Sequence, residues 1–310
     1  MRRIGISGAT GAIGLALIEK CIEEGVEVYV FLRKDSERAG RIPEHPLVHR
    51  VRCALDEMKD LDITGIPELD VFYHLAWMKA FGEENRNDLH TQTANIDYAI
   101  DAVELAERLS CRRFIGAGSQ AEYGRKDEAL KPETSCEPEN GYGIAKLAAG
   151  QMTRLECEKR GLEHIWIRIL SVYGPGDGEK TLVSSVIKDA LEGLDPQCTK
   201  AEQMWDYLYS KDAAEALYLA GCDGVPGKTY VLGSGSARPL RSYIEDICDI
   251  CADITGKRVS PEYVRPYGDK QVMYLVADVS DLKEDTGFEA KTSFEAGIRE
   301  TVKFMLEEKD

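Results

Sequence analysis

The chain has no run of about 18 apolar residues, the length a membrane-crossing helix needs. It also has no apolar stretch ahead of a small-residue cleavage site. Met1-Arg2-Arg3-Ile4-Gly5-Ile6 passes straight into a strand-like run and a glycine turn. These absences lead us to expect no membrane partner and a cytoplasmic location. Positive charge is scarce. The 39 Lys and Arg face 55 Asp and Glu, a formal net charge of −16. That argues against nucleic-acid binding, which needs clustered cations, but not against an anionic small ligand, because a few local arginines override the global sign. The nine cysteines are scattered and odd in number, which fits reduced thiols and not a disulfide framework. Cys248 and Cys251 form a CxxC without a second pair at zinc-ribbon spacing. Both sit in one helical pattern, and no metal is expected. Repeats and low-complexity tracts are missing too.

What is present is an alternation. Strand-like runs occur at Arg3–Ser7, Glu27–Leu32, Val48–Cys53, Val71–Ala76, Arg113–Gly118 and Glu163–Ile169. Helical patterns lie between them, among them Ile13–Glu24, Asn95–Leu109 and Tyr142–Arg160. This β-α-β order predicts an α/β fold with a doubly wound, mostly parallel Rossmann sheet. The regularity fades after the loop signal Tyr173-Gly174-Pro175-Gly176-Asp177-Gly178. Helical stretches at Thr181–Glu192, Lys211–Ala220, Pro239–Thr255 and Thr292–Glu308 follow, with one strand, Thr229–Leu232. We expect a dinucleotide-binding domain over 1–175, to which the chain returns around 205–235. A smaller C-terminal α/β substrate-binding domain is expected over 176–310.

Gly8-Ala9-Thr10-Gly11-Ala12-Ile13-Gly14 follows the first strand and opens the first helix. One glycine permits the tight turn, another lets backbone approach a pyrophosphate, and the third lets helix and strand pack closely. The helix N-terminus then offers free N–H groups and a positive dipole end to phosphate. The second strand ends in Phe31-Leu32-Arg33-Lys34-Asp35. Arg33, assisted by Lys34, suits a ribose 2′-phosphate, which favours NADP. Asp35 lies close enough to keep NAD open.

Tyr142 and Lys146 stand four residues apart and project from one helix face. A free phenol titrates near 10. A neighbouring ammonium and a cationic nicotinamide both favour the phenolate, so Tyr142 can move a proton at neutral pH. Ser119 lies just past the fifth strand, at the edge where a parallel sheet receives its ligand. From there its hydroxyl would hold a substrate oxygen.

Taken in order, these motifs resemble the extended short-chain dehydrogenase/reductases of the nucleotide-sugar epimerase/dehydratase/reductase group. The likeness runs nearly end to end. It continues through His74-Leu75-Ala76, Gly118-Ser119 with Tyr123-Gly124, Arg168-Ile169-Leu170-Ser171-Val172-Tyr173-Gly174-Pro175, and Asp206-Tyr207 with Asp212. It ends in Val231-Leu232-Gly233-Ser234-Gly235, Arg265-Pro266-Tyr267-Gly268-Asp269 and Asp278-Val279-Ser280. The resemblance implies a catalytic triad of Ser119, Tyr142 and Lys146, with Lys146 also holding the nicotinamide ribose. It places Leu55, Leu75, Ala76, Leu170 and Val172 along the cofactor. It implies that Asn95 supports the lysine through water, and that the protein is a homodimer built on the helices Asn95–Leu109 and Tyr142–Arg160.

Departures from the group's pattern narrow the chemistry. Dehydratases carry Asp-Glu after the catalytic hydroxyl residue, where this chain has Gln120-Ala121, so dehydration is disfavoured. Leu32 and Arg33 replace the acid usual in epimerases that retain NAD, and Ala54 replaces an acid often used on adenine. Ser171 and Trp205 stand where many relatives hold the nucleotide with Asn and Arg. Arg265 is the remaining candidate for the diphosphate, being able to meet two phosphate oxygens at once. Trp77, Met78, Trp205 and Tyr207 would line the sugar or base pocket. The leading expectation is an NADPH-dependent reductase of a nucleotide-linked 4-keto sugar. A 4-epimerase of the UDP-glucose type, a reductase of a non-nucleotide carbonyl compound and a non-catalytic NADP-binding module remain open.

Overall fold

The alternation of apolar runs and helices resolves into a seven-stranded, all-parallel sheet. The computed structural model describes residues 1–307. The sheet order is β3-β2-β1-β4-β5-β6-β10. Its strands are β1 (Arg3–Ser7), β2 (Glu27–Leu32), β3 (Val48–Arg52), β4 (Val71–His74), β5 (Arg113–Ser119), β6 (Glu163–Ile169) and, at the far edge, β10 (Thr229–Leu232). The inner strands are buried on both faces, which is why they read as continuous apolar runs without alternation. The order reverses between β1 and β4, and that switch point opens a crevice at the carboxyl ends of the strands.

Helices cover both faces. On one, α1 (Ala12–Glu23) packs against α6 (Ser210–Asp223). On the other, α3 (Leu89–Arg108) packs against α4 (Gly141–Arg160), with α2 a single turn, Glu83–Arg86, ahead of α3. Close approach of α4 to the sheet depends on missing side chains. The Trp166 ring lies where a Cβ on Gly116, Gly118 or Gly150 would come within 2.2, 2.4 or 2.7 Å of it. A Cβ on Gly143 would fall 2.3 Å from the Ala121 carbonyl oxygen. The first turn of α4 therefore rests on the turn that follows β5, which puts Tyr142 and Lys146 beside Ser119.

A second core joins α5 (Leu182–Glu192), α7 (Leu240–Thr255) and α9 (Phe294–Glu307). Cys248 and Cys251 belong to it, their thiols pushed up to about 12 and about 11 by burial. Very short strands stitch the two parts together. β7 (Ser171–Tyr173) pairs with β9 (Tyr207–Tyr209), and β8 (Met204–Trp205) lies between β11 (Arg238–Pro239) and β12 (Tyr274–Leu275). The buried Asp206 carboxylate accepts from Ser234 N (2.8 Å), Gly235 N (3.0 Å) and Ala277 N (3.1 Å), tying three segments to one point. α8 (Ser280–Thr286) packs on α6.

Several boundaries differ from the sequence reading, most of them by one or two residues. β3 stops at Arg52 and β4 at His74, one and two residues short of expectation. α3 begins at Leu89 and not Asn95, because Asp88 caps it by accepting from Thr91 N at 3.2 Å. Its first turns are too polar to show an apolar period. Glu308, the last residue of the expected terminal helix, lies outside the described residues. Among the described residues no helix is long and apolar enough to cross a membrane.

Candidate functional site

Two adjoining cavities, of 480 and 740 Å³, open at the carboxyl edge of the sheet. Arg86, Gln120, Ser171 and Trp205 line both, so the two form one cleft. The smaller begins at the glycine turn. Gly8 has φ +80°, and a Cβ on it would sit 2.5 Å from Ala76 N. A Cβ on Gly14 would meet Ala9 Cα at 2.5 Å. A Cβ on Gly11 meets only the Gly8 carbonyl, at 3.9 Å, and would otherwise project into open space. Gly11 is the N-cap of α1 and supplies no side-chain cap. Gly11, Ala12, Ile13 and Gly14 thus present an uncapped helix N-terminus to the cavity. That cradle, with the positive dipole end behind it, fits a dinucleotide pyrophosphate.

Ser119, Tyr142 and Lys146 converge at the middle of the cleft. Ser119 ends β5, and its Oγ accepts from Ala121 N at 3.2 Å. Tyr142 is in the first turn of α4, which Asn140 caps by accepting from Gly143 N at 2.8 Å. Lys146 Nζ donates to the Ala117 carbonyl at 2.6 Å and lies 3.8 Å from the centre of the Trp77 ring. Burial pulls its pKa down to about 7, against a smaller opposing pull from Glu122. Burial pushes the Tyr142 phenol up, while hydrogen bonding with Ser119 and the charge of Arg86 work the other way. Burial, with the nearby Lys146, holds His74 down at about 3. Its Nδ1 lies 2.9 Å from Ser7 Oγ.

Behind Ser119 stands a buried ion pair. Glu122 meets Arg168 at 2.7 Å and also accepts from Ser119 N (2.8 Å) and Trp166 Nε1 (3.0 Å). These bonds hold the turn 119–123 and aim Glu122 inward, away from the cleft. In front of the site runs the segment 77–88. Trp77 Nε1 donates to Gln92 (2.8 Å), and Gln92 Nε2 donates to the carbonyls of Lys79 (3.1 Å) and Asn85 (3.0 Å). Asn95 grips the backbone of Met78 in both directions, at 2.9 and 3.0 Å. Its amide is engaged with this strap, while Lys146 Nζ itself donates to Ala117 O.

Other expected residues divide. Leu75, Trp77, Leu170, Val172, Gln120, Ser171, Trp205 and Tyr207 line the smaller cavity. Ser171 and Trp205 are joined by a 2.9 Å hydrogen bond. Ala76 touches the glycine turn through its backbone, and Thr10, Leu55, Arg33 and Lys34 lie outside both linings. Arg33 and Lys34 are exposed after β2. Arg265 is exposed as well, its backbone N–H donating to Cys198 O at 2.9 Å. It does not reach the cleft lining. Sequence reasoning missed Arg86, a cleft cation placed by the strap, and Asp177. Asp177 lines the cleft; its carboxyl accepts from Thr181 Oγ1 (2.8 Å) and Gly178 N (2.7 Å), and is pushed up to about 6 by burial. The loop signal at 173–178 was the one available hint of Asp177.

Sheet order, glycine turn and the Ser-Tyr-Lys cluster define an extended short-chain dehydrogenase/reductase. More specifically, the chain belongs to the NAD dependent epimerase/dehydratase family, whose model matches residues 4–233. A dTDP-glucose 4,6-dehydratase of Escherichia coli is 29% identical over 187 residues, 57% of this chain. The chain spans about half, 51%, of that relative's length. A UDP-glucose 4-epimerase from Thermotoga maritima, solved with UDP-glucose, superposes with a TM-score of 0.85 at 22% identity, covering 99% of this chain and 100% of the other. A UDP-glucuronic acid 4-epimerase from Bacillus cereus, solved with NAD, gives 0.82 at 19% identity over 98% and 96% of the two chains. The two structural likenesses establish the fold.

Proposed function

We propose that this protein is an NADPH-dependent reductase of a nucleotide-linked 4-keto sugar, with Tyr142 as the proton donor. The observation that carries the reading is the turn after Ser119. It offers Gln120 and Ala121 to the cleft, while Glu122 is turned into the ion pair with Arg168. No carboxylate follows Ser119 into the cleft to remove water from the sugar, which supports hydride transfer alone over dehydration. A nicotinamide cofactor, when bound, supplies the hydride. Tyr142 gives its phenolic proton to the developing alkoxide, and the Ser119 hydroxyl holds the same oxygen. Lys146, donating to Ala117 O, fixes the floor of the site and would hold the nicotinamide ribose. NADP is favoured by Arg33 and Lys34 after β2, although the B. cereus relative was solved with NAD. The dinucleotide-binding part is assigned to 1–175 with the return at 205–235, and the substrate part to 176–310.

A second reading, a 4-epimerase that retains its cofactor, is favoured by the full-length likeness to solved 4-epimerases. One assay separates them. Purified protein is examined for absorbance near 340 nm, then supplied with NADPH or NADH and a dTDP-, UDP-, GDP- or CDP-linked 4-keto sugar, and separately, without added cofactor, with the corresponding 4-hydroxy sugars. Net oxidation of NADPH, lost by about 10²-fold or more in Tyr142→Phe with cofactor affinity kept, is the expected result. Interconversion without net oxidation assigns the epimerase. Near-normal turnover in Tyr142→Phe removes Tyr142 from the mechanism.

We further propose a homodimer formed through the outer faces of α3 and α4. Ile144, Met152 and Leu155 on α4 are 54%, 43% and 56% exposed and follow one helical stripe, with Leu89 of α3 63% exposed.

A further inference from the structure

We propose that Arg86 is a positioning residue for Tyr142, its guanidinium supplying the positive charge that steadies the phenolate when the phenol gives up its proton. The inference rests on Tyr142 being the acid–base group of the reading above. Arg86 Cζ lies 4.8 Å from the centre of the Tyr142 ring. Its Nε donates to the Ala80 carbonyl at 2.8 Å, which fixes the guanidinium plane. Among the described residues no carboxylate forms an ion pair with it, so its charge is not spent elsewhere.

The other groups facing the phenol supply less of that charge, or none. Trp77 meets the ring edge-on at 6.1 Å between centroids and is neutral. Ser119 offers a hydroxyl. Glu122 is negative, disfavours a phenolate, and is already paired with Arg168. Lys146, one turn along α4, lies 5.9 Å from the Tyr142 ring centre, and its Nζ is held by Ala117 O. With burial drawing it down to about 7, its ammonium is only partly charged at neutral pH. A guanidinium keeps its charge throughout the working range. The geometry therefore divides the work. Lys146 anchors the floor of the site and adds the part of its charge that burial leaves, and Arg86 polarises the phenol from the strap.

The test needs no substrate. The full chain is labelled with 13Cζ-tyrosine and titrated by NMR, with the Tyr142 signal identified by its loss in Tyr142→Phe. Arg86→Gln should move the onset and midpoint of that titration up by about one pH unit or more, the usual effect of one close opposite charge. Arg86→Lys should recover most of the difference. In turnover, kcat/KM of Arg86→Gln for reduction should fall several-fold at pH 7, because a phenol whose midpoint rises by about one pH unit stays protonated there but is a weaker proton donor. The alkaline limb of the pH profile should move up by the same interval as the titration. An unmoved titration, or a rise in KM alone, makes Arg86 a substrate ligand and overturns the proposal. A moved titration in a protein that reduces no keto sugar supports the pairing and removes the sugar reaction instead.

Discussion

At the residue scale the cleft contains groups whose ionisation is shifted toward the neutral form by burial. Asp177 shows the consequence for stability. Its carboxyl is buried beside the cleft, with Thr181 Oγ1 and Gly178 N as partners and Arg38 as a distant favourable charge, and burial outweighs them all. Its folded pKa, about 6, exceeds the ordinary carboxylate value. Below about pH 4 both folded and unfolded states hold the proton. Between about 4 and 6 only the folded state does, so stability falls as pH rises through that window and stays lower above it. Asp177→Asn keeps the shape without the charge. We expect it to be more stable than the wild type by roughly 2 kcal/mol at pH 8, with the gap closing toward pH 4. Denaturant unfolding at both values measures it, and a gap that does not depend on pH contradicts the assignment.

At the element scale the site depends on how closely α4 approaches β5 and β6. Gly150 faces the Trp166 ring, and a Cβ there would lie 2.7 Å from Cε2 and 2.9 Å from Nε1. Two effects compete in Gly150→Ala. Helix propensity gains about 1 kcal/mol, while overpacking costs about 1–3 kcal/mol. Trp166 cannot yield freely because its Nε1 is bonded to Glu122. We expect a net loss of up to about 2 kcal/mol and reduced turnover, as Tyr142 shifts with its helix; an increase in melting temperature would show that the indole gives way. The same elements show what the sequence made legible. β1, β2, β6 and β10 carry runs long and apolar enough to be read with their boundaries, and the glycine turn announces itself by spacing. β7, β8, β9, β11 and β12 have two or three residues each, too few for any period to show. Arg86 was invisible for a different reason. Its place over Tyr142 depends on how Gln92 and Asn95 of α3 pin the strap, a long-range fact with no local pattern. Arg265 had suitable chemistry in a suitable turn, and yet its side chain stays at the surface.

At the scale of the whole molecule, charge and apolar surface oppose each other. Each copy carries a net charge of −16, which resists association, and the exposed stripe Ile144, Met152, Leu155 with Leu89 favours it. Screening falls to a length of about 8 Å at physiological ionic strength and shorter above it, so added salt weakens the repulsion while leaving apolar burial intact. The proposed dimer should therefore tighten as salt rises from about 0.02 to about 0.5 M, the reverse of an interface held by ion pairs. Leu155→Arg places a charge in the middle of the stripe, where a desolvated cation without a partner costs several kcal/mol. It should yield monomers at every salt concentration in sedimentation velocity. Leu155 is exposed within one copy, so the variant's fold should survive. Its far-ultraviolet dichroism should match the wild type, and its melting temperature should lose only the contribution of association. A variant that stays dimeric at low micromolar concentration places the contact on another face. A wild type that is monomeric throughout removes the dimer altogether.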